Sequence, residues 1–214
     1  MKKESCILYE RYENTPSVTA QKFYYFPQWS GHFVCNPDFY IERCNWPDIL
    51  ILLTTAGNGK LIYREKEYIL DKNTFAIINC MDKCTYFPIS EENWAFSFLH
   101  FTGLQSTELY EHIYNLNDSC VFNTTQKIES NMEDCINLCK EKGSKYEIRL
   151  SKKISNILHE ILLIMQRDDS DKISMICEYI SENYADDLST EKLAQISCFS
   201  RCYFSTMFKK HTGT

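Results

Sequence analysis

No proline follows Pro88 and no tryptophan follows Trp94 in this chain of 214 residues. All five prolines and all three tryptophans therefore fall in the first part, and their absence beyond it marks a change of architecture. No stretch approaches the roughly 18 consecutive apolar residues of a membrane-spanning helix. Met1-Lys2-Lys3 runs into Glu4 and a polar segment instead of an apolar core, so no secretory leader is expected and the product is expected to stay in the cytoplasm. The five histidines, His32, His100, His112, His159 and His211, include no H-x-H pair. A catalytic metal centre wants two or three histidines and a carboxylate around one ion. No nucleophile elbow, phosphate loop or acid pair stands out either, so neither catalysis nor a cofactor is expected.

What the chain does have is cysteine. Eleven would suggest disulfides in a small secreted protein, but the count is odd and the expected compartment reducing, so free thiols are the default. The pairs Cys80/Cys84, Cys135/Cys139 and Cys198/Cys202 are spaced x3, without the two-residue gap and partner knuckles of a zinc site, so no metal is expected. On a helix, Cys135 and Cys139 share one face as small buried hydrophobes.

Charge is unevenly placed. Residues 1–171 hold 18 Lys and Arg against 24 Asp and Glu, whereas 172–214 hold 5 against 5. The net charge of −6 thus belongs to the first part, and the basic residues of the second gather near its end.

Short runs of strand character occur at Phe39 to Arg43, Ile49 to Thr55, Gly59 to Arg64, Thr74 to Asn79 and Trp94 to Phe101, with Gly57-Asn58-Gly59 as a turn signal. Ile49 to Leu53 is continuously apolar, as a strand buried on both faces would be. Such spacing predicts a small barrel or sandwich. From about Thr107 the pattern turns helical. Leu150, Ile154, Ile157, Leu158, Ile161, Leu162 and Met165 recur at three and four, giving a long amphipathic helix that either packs on its own barrel or offers a dimer contact. A polar break, Gln166 to Asp171, precedes a helix over Ile173 to Tyr184 and sets the domain boundary.

Two short helices close the chain. Ser189 and Ser200 can cap their starts. Leu188 with Leu193, and Phe199 with Phe204, are placed as hydrophobic staples. Phe204, Met207, Phe208 and the stem of His211 fall on one face, expected to pack on Leu193 and Ile196. The opposite face carries Cys202, Ser205, Thr206 and Lys209, and with Arg201 and Lys210 the helix holds three basic residues and no acidic one. That suits a phosphate backbone. Spacing alone fits a helical hairpin with a solvated charged face equally well.

Leu193-Ala194, Ser200, Tyr203-Phe204, Phe208-Lys209-Lys210 and Thr212-Gly213 make this segment similar to the first of two helix-turn-helix units in AraC/XylS-type transcription regulators. The resemblance implies that Arg201 to His211 lies in the major groove, with Cys202, Ser205 and Thr206 at base-reading positions and Ser200, Arg201, Lys209 and Lys210 as further DNA contacts. Cys198 stands where the family often has Gly, a cost of up to about 1 kcal/mol if the backbone there needs a positive φ. The family continues into a connecting helix and a second unit beyond the point matching Thr214, so a truncated product that binds DNA weakly is expected.

Arg43, the Asp48-Ile49-Leu50 run into Gly57-x-Gly59, Tyr86, and Trp94 leading to His100-Phe101-x-Gly103 resemble the cupin-like sensor domain of the same family. This implies a mixed fold: a cupin-like β-barrel or sandwich over 1–105, a helical and dimerising region over 106–167, and an all-α helix-turn-helix segment over 172–214. It further implies a small-molecule pocket with Arg43 and Tyr86 as polar anchors and Phe96 and Phe98 on its wall. A guanidinium fork and aromatic faces suit a sugar. A surface salt bridge for Arg43 and core packing for the aromatics are the plainer alternatives. Sugar sensors of the family often carry His where this chain has Cys84, which points to a less polar or different ligand. The implied function is a ligand-responsive transcription regulator whose partners are promoter DNA, an effector, a second copy of the chain and RNA polymerase. A sensing module without DNA binding and a metal-dependent cupin enzyme are the alternatives.

Overall fold

The computed structural model describes residues 5–165, 169–184, 188–197, 199 and 201–213, without the side chains of 169–171, 195 and 202. The expectations for Cys198, Ser200 and the Cys202 side chain lie outside the described residues. The chain divides into two compact units, Met1–Leu162 and Leu163–Thr214.

The first unit is an antiparallel sandwich. Its larger sheet runs β1 (Cys6–Glu13), β2 (Phe26–Cys35), β9 (Trp94–Thr102), β4 (Ile49–Ala56), β7 (Thr74–Asn79), β10 (Val121–Asn123), and its smaller one β3 (Ile41–Arg43), β8 (Cys84–Pro88), β5 (Gly59–Tyr63), β6 (Lys66–Leu70). β4 is central in the larger sheet, and Ile49 to Thr54 are all buried. Its continuous apolar run is explained by cover on both sides: the facing sheet within, and α2 (Ser106–Asn117) without. The β4–β5 turn places Gly57 at φ +66°, where a side chain would be strained.

Five strands were not expected from sequence: β1, β2, β6, β8 and β10. The last is a finding about the stretch expected to be helical, since Val121–Asn123 pairs with Thr74–Ala76 and returns the chain to the sheet. α1 (Val18–Phe23), capped by Ser17, lies between β1 and β2.

α3 (Gln126–Glu141) lies on β1, β2 and β9 and buries Cys135 and Cys139 on one face. In α4 (Tyr146–Met165) the stripe Leu150, Ile154, Ile157, Leu158 and Ile161 is buried. Ion pairs Lys127–Glu160 at 2.9 Å and Lys153–Asp134 at 2.5 Å join α4 to α3. Leu162 and Met165, which complete the expected stripe, are only half-buried.

The second unit is helical: α5 (Asp169–Glu182), α6 (Thr190–Ile196) and α7 (Arg201–Thr212). Of the expected polar break, 166–168 lie outside the described residues, and Asp169 already begins α5. Ile173, Ile176, Leu193, Ala194 and Phe204 form the buried cluster, with Leu188, Phe199, Met207 and Phe208 packed around it. Ile196, expected inside, is instead 42% exposed. Ala194 takes its place because α5 supplies Ile173 and Ile176 to a face that a two-helix picture left open. Ser189 Oγ accepts from the Lys192 amide at 3.3 Å, as an N-cap should.

Candidate functional site

Strand alternation builds a cavity between the two sheets. Tyr9 and Arg11 of β1, Trp29 and Phe33 of β2, Ile41 and Arg43 of β3, and Phe96, Phe98 and His100 of β9 repeat at steps of two or four and so face one side. Glu42, Trp46 and Tyr86 complete a lining around about 290 Å³. Gly31, between Trp29 and Phe33, allows β1 to approach: a Cβ there would fall on the Glu10 carbonyl.

The cavity floor is a buried relay. Arg43 Nη1 lies 2.7 Å from His100 Nε2, and His100 Nδ1 lies 3.1 and 3.2 Å from the Asp48 carboxylate oxygens. A guanidinium does not give up its proton, so Nε2 must accept and Nδ1–H must donate to Asp48. The imidazole is thus a neutral bridge between a cation and an anion. Its pKa is lowered, first by burial and also by the charges of Arg43 and Arg11, against the pull of Asp48. Arg43 is held above its ordinary value: burial pulls down most strongly, but Tyr86, Cys80, Cys84 and Asp48 together outweigh it.

Two thiols adjoin the relay. Asp48, Cys80 and His100 bring an oxygen, a sulfur and a nitrogen within 4.8 Å of one another, the spacing of a metal cluster. The tautomer argues against a cation there. A metal on Nδ1 would send the imidazole proton to Nε2, setting two donors against each other at the 2.7 Å contact with Arg43. Cys84 is lowered, chiefly by its hydrogen bond with Cys80 and further by Arg43, while Cys80 is raised by that same bond and by burial.

The lining is rich in donors and poor in acceptors. Among the described residues no carboxylate forms an ion pair with Arg43, and burial keeps the Tyr86 hydroxyl protonated. Glu42, the one carboxylate in the lining, is paired with Lys83 at 3.2 Å. Arg11 pairs with Glu13 at 2.8 Å and stacks over Trp29, its carbon 4.6 Å from the ring centre.

All four residues expected to meet a ligand, Arg43, Tyr86, Phe96 and Phe98, line this one cavity. Sequence reasoning missed Arg11 and Trp29, which sit on unrecognised strands, and Trp46. His100 and Asp48 were visible as motif letters, and the step of two from Phe96 through Phe98 to His100 could have placed the histidine beside them. A second hollow of about 410 Å³, lined by Thr54, Thr55, Asn73, Glu129 and Glu133 among others and by no Lys or Arg, lies against α3.

In the second unit Arg201, Ser205, Thr206, Lys209 and Lys210 are all exposed. Arg201 pairs with Glu191 at 2.7 Å, and Ser205 Oγ donates to the Arg201 carbonyl at 3.0 Å.

The family profile described as an AraC-like ligand binding domain matches residues 26–167, about two thirds of the chain. The chain therefore belongs to the AraC-like ligand-binding domain family, with a cupin-like sandwich followed by helices. No curated protein matches it. Solved structures similar to it include ToxT from Vibrio cholerae, as the apo K231A form (13% identity, 94% of this chain and 96% of that one, TM-score 0.46). ToxT bound to (E)-4-(8-methylnaphthalen-1-yl)but-3-enoic acid is another (15%, 87% and 94%, TM-score 0.41). The cupin domain of Schizosaccharomyces pombe Cnp3 is a third (11%, 42% and 62%, TM-score 0.34). Among the described residues no helix is long and apolar enough to cross a membrane.

Proposed function

We propose that this chain is a ligand-responsive transcription regulator. A small metabolite occupies the sandwich cavity, and α7 reads promoter DNA through Arg201, Ser205, Thr206, Lys209 and Lys210. A regulatory role, not a catalytic one, fits the family and the fixed tautomer of His100. A second copy and RNA polymerase are carried over from the family resemblance without an assigned face.

The observation that carries the reading is the convergence of the Arg43 guanidinium, whose protein partner is His100 Nε2, and the Tyr86 hydroxyl on an aromatic-walled cavity. A neutral sugar brings as many donors as acceptors, and the lining offers its donors a single carboxylate, the half-exposed Glu42. A carboxylate brings acceptors only and can take a guanidinium two-pronged, so small acids, sugar acids included, satisfy this lining better than neutral sugars.

Trp29 and Trp46 report occupancy by fluorescence. Titration with 3-phenylpropionate and D-gluconate should change that signal, with affinities roughly ten- to a hundredfold above those of 3-phenylpropan-1-ol and L-arabinose. Arg43→Gln should erase the preference. Arabinose binding tighter than the acids would restore the sugar reading, and silence from every probe would count against an effector site.

A further inference from the structure

Cys6 and Cys35 face each other across the first strand pair. They are register partners of β1 and β2, and their sulfurs lie 3.5 Å apart. Cys35 is fully buried, and Cys6 is half-buried at the strand's outer end. A disulfide needs Cα atoms about 4.4–6.8 Å apart, and directly opposed antiparallel residues sit about 4.5–5.5 Å apart. The register is irregular between Cys6 and Leu8, so closing the sulfurs from 3.5 Å to bonding distance asks for side-chain rotation and a small adjustment at the end of β1. Cys80 and Cys84, and Cys135 and Cys139, are all buried, so neither pair offers an oxidant a reachable sulfur comparable to Cys6.

The geometry points to a reversible Cys6–Cys35 disulfide that staples β1, and with it one wall of the effector cavity, to the rest of the sheet. The oxidant is a low-molecular-weight disulfide such as oxidised glutathione. The Cys6 thiolate attacks it, forming a Cys6–glutathione mixed disulfide and releasing one glutathione thiolate. The Cys35 thiolate then attacks the Cys6 sulfur and expels the second glutathione. Two protein thiols lose two hydrogens and two electrons, and one glutathione disulfide becomes two glutathione thiols. Burial pushes both protein thiols above their ordinary value, so the exchange is slow at neutral pH and quickens as pH rises.

β1 is an edge strand whose one neighbour is β2, yet it carries Tyr9 and Arg11 into the cavity. Edge strands open more readily than central ones. A covalent link at its outer end holds those two side chains in place and restrains a loop whose ends are 29 positions apart.

The test uses the full chain, equilibrated with oxidised glutathione, quenched with N-ethylmaleimide and digested with trypsin. The tryptic segments 4–11 and 23–43 should be recovered joined, and separated by dithiothreitol. The melting transition of the oxidised sandwich should rise by roughly 5–10 °C. Amide exchange along β1 should slow. Cys6→Ser, at a half-buried position, should fold normally and lose the melting shift. Recovery of Cys6 only as its glutathione adduct, or joined to a different cysteine, would overturn the pairing. A linked peptide with an unchanged melting transition, or a shift that persists in Cys6→Ser, would overturn the staple.

Discussion

In the sandwich, Arg43 points toward a cavity and its hydrogen-bond partner is a buried neutral imidazole, with the balancing carboxylate of Asp48 one ring further in. In the helical unit, Arg201, Lys209 and Lys210 stand in solvent around a cluster made only of apolar side chains. One unit spends part of its interior on holding a charge where a small ligand can reach it. The other, among the described residues, holds Arg201, Lys209 and Lys210 outside, where a large surface such as a nucleic-acid backbone can meet several cations at once. The stability of the two units should accordingly respond to different insults.

The largest effect should come from Phe204→Ala. Phe204 is one of five buried residues in its cluster among the described residues, and truncating it should cost about 3–5 kcal/mol. Far-ultraviolet circular dichroism with urea should show the helical unit melting first while Trp fluorescence of the sandwich holds. Loss of both signals together would erase the contrast between the units.

A middle-sized effect separates them by pH. His100 is lowered from the ordinary value of 6.5 in the folded state, so below pH 6.5 the unfolded chain takes up a proton that the folded chain refuses. This contribution is intact above 6.5 and is lost as pH falls toward the lower folded value. The urea midpoint of the sandwich should therefore drop between pH 7.5 and 5.5, and the slope should flatten in His100→Gln. An unchanged slope would mean that the relay is not buried as described. Among the described residues the buried side chains of the helical cluster are all apolar, so its core should not contribute a drop of this kind.

The smallest effect is Lys209→Ala. Removing one phosphate contact should weaken DNA binding several-fold at low salt and reduce the salt dependence by about 0.9 in log–log slope. Gel shifts at several salt concentrations would read it, and an unaltered slope would free Lys209 from that role.

The sequence disclosed strands where composition was extreme. β7 was placed at Thr74 to Asn79, as found, and the unbroken run of Ile49 to Leu53 announced a strand covered on both faces. β2 carries Pro27 and Gly31, two residues that disfavour a strand interior, and was not assigned from sequence. Pro27 is tolerated because the ladder with β9 is irregular between Pro27 and Trp29, and Gly31 because β1 presses on it. β1 was masked by Glu10, Arg11 and Glu13, since a solvent-facing edge needs no apolar alternation. The site followed the same division. Arg43, Tyr86, Phe96 and Phe98 were named through family likeness, whereas Arg11 and Trp29 arrived on strands that could not be seen. The Asp48–His100–Arg43 relay joins three strand regions separated by 52 and 57 positions, a pairing that no local pattern encodes.

β10 has a practical meaning for anyone dividing this protein. A fragment ending at residue 105 would keep nine strands yet leave Thr74 to Ala76 without the partners that Val121 to Asn123 supply. It would also lose the Cys120 carbonyl, which accepts from the Ile77 amide at 2.9 Å. The freed border, Phe75-Ala76-Ile77-Ile78, is apolar and carries no charge, the kind of open margin on which chains stack into aggregates. Three residues of returning chain thus act as a selvedge, and any cut should pass on their far side.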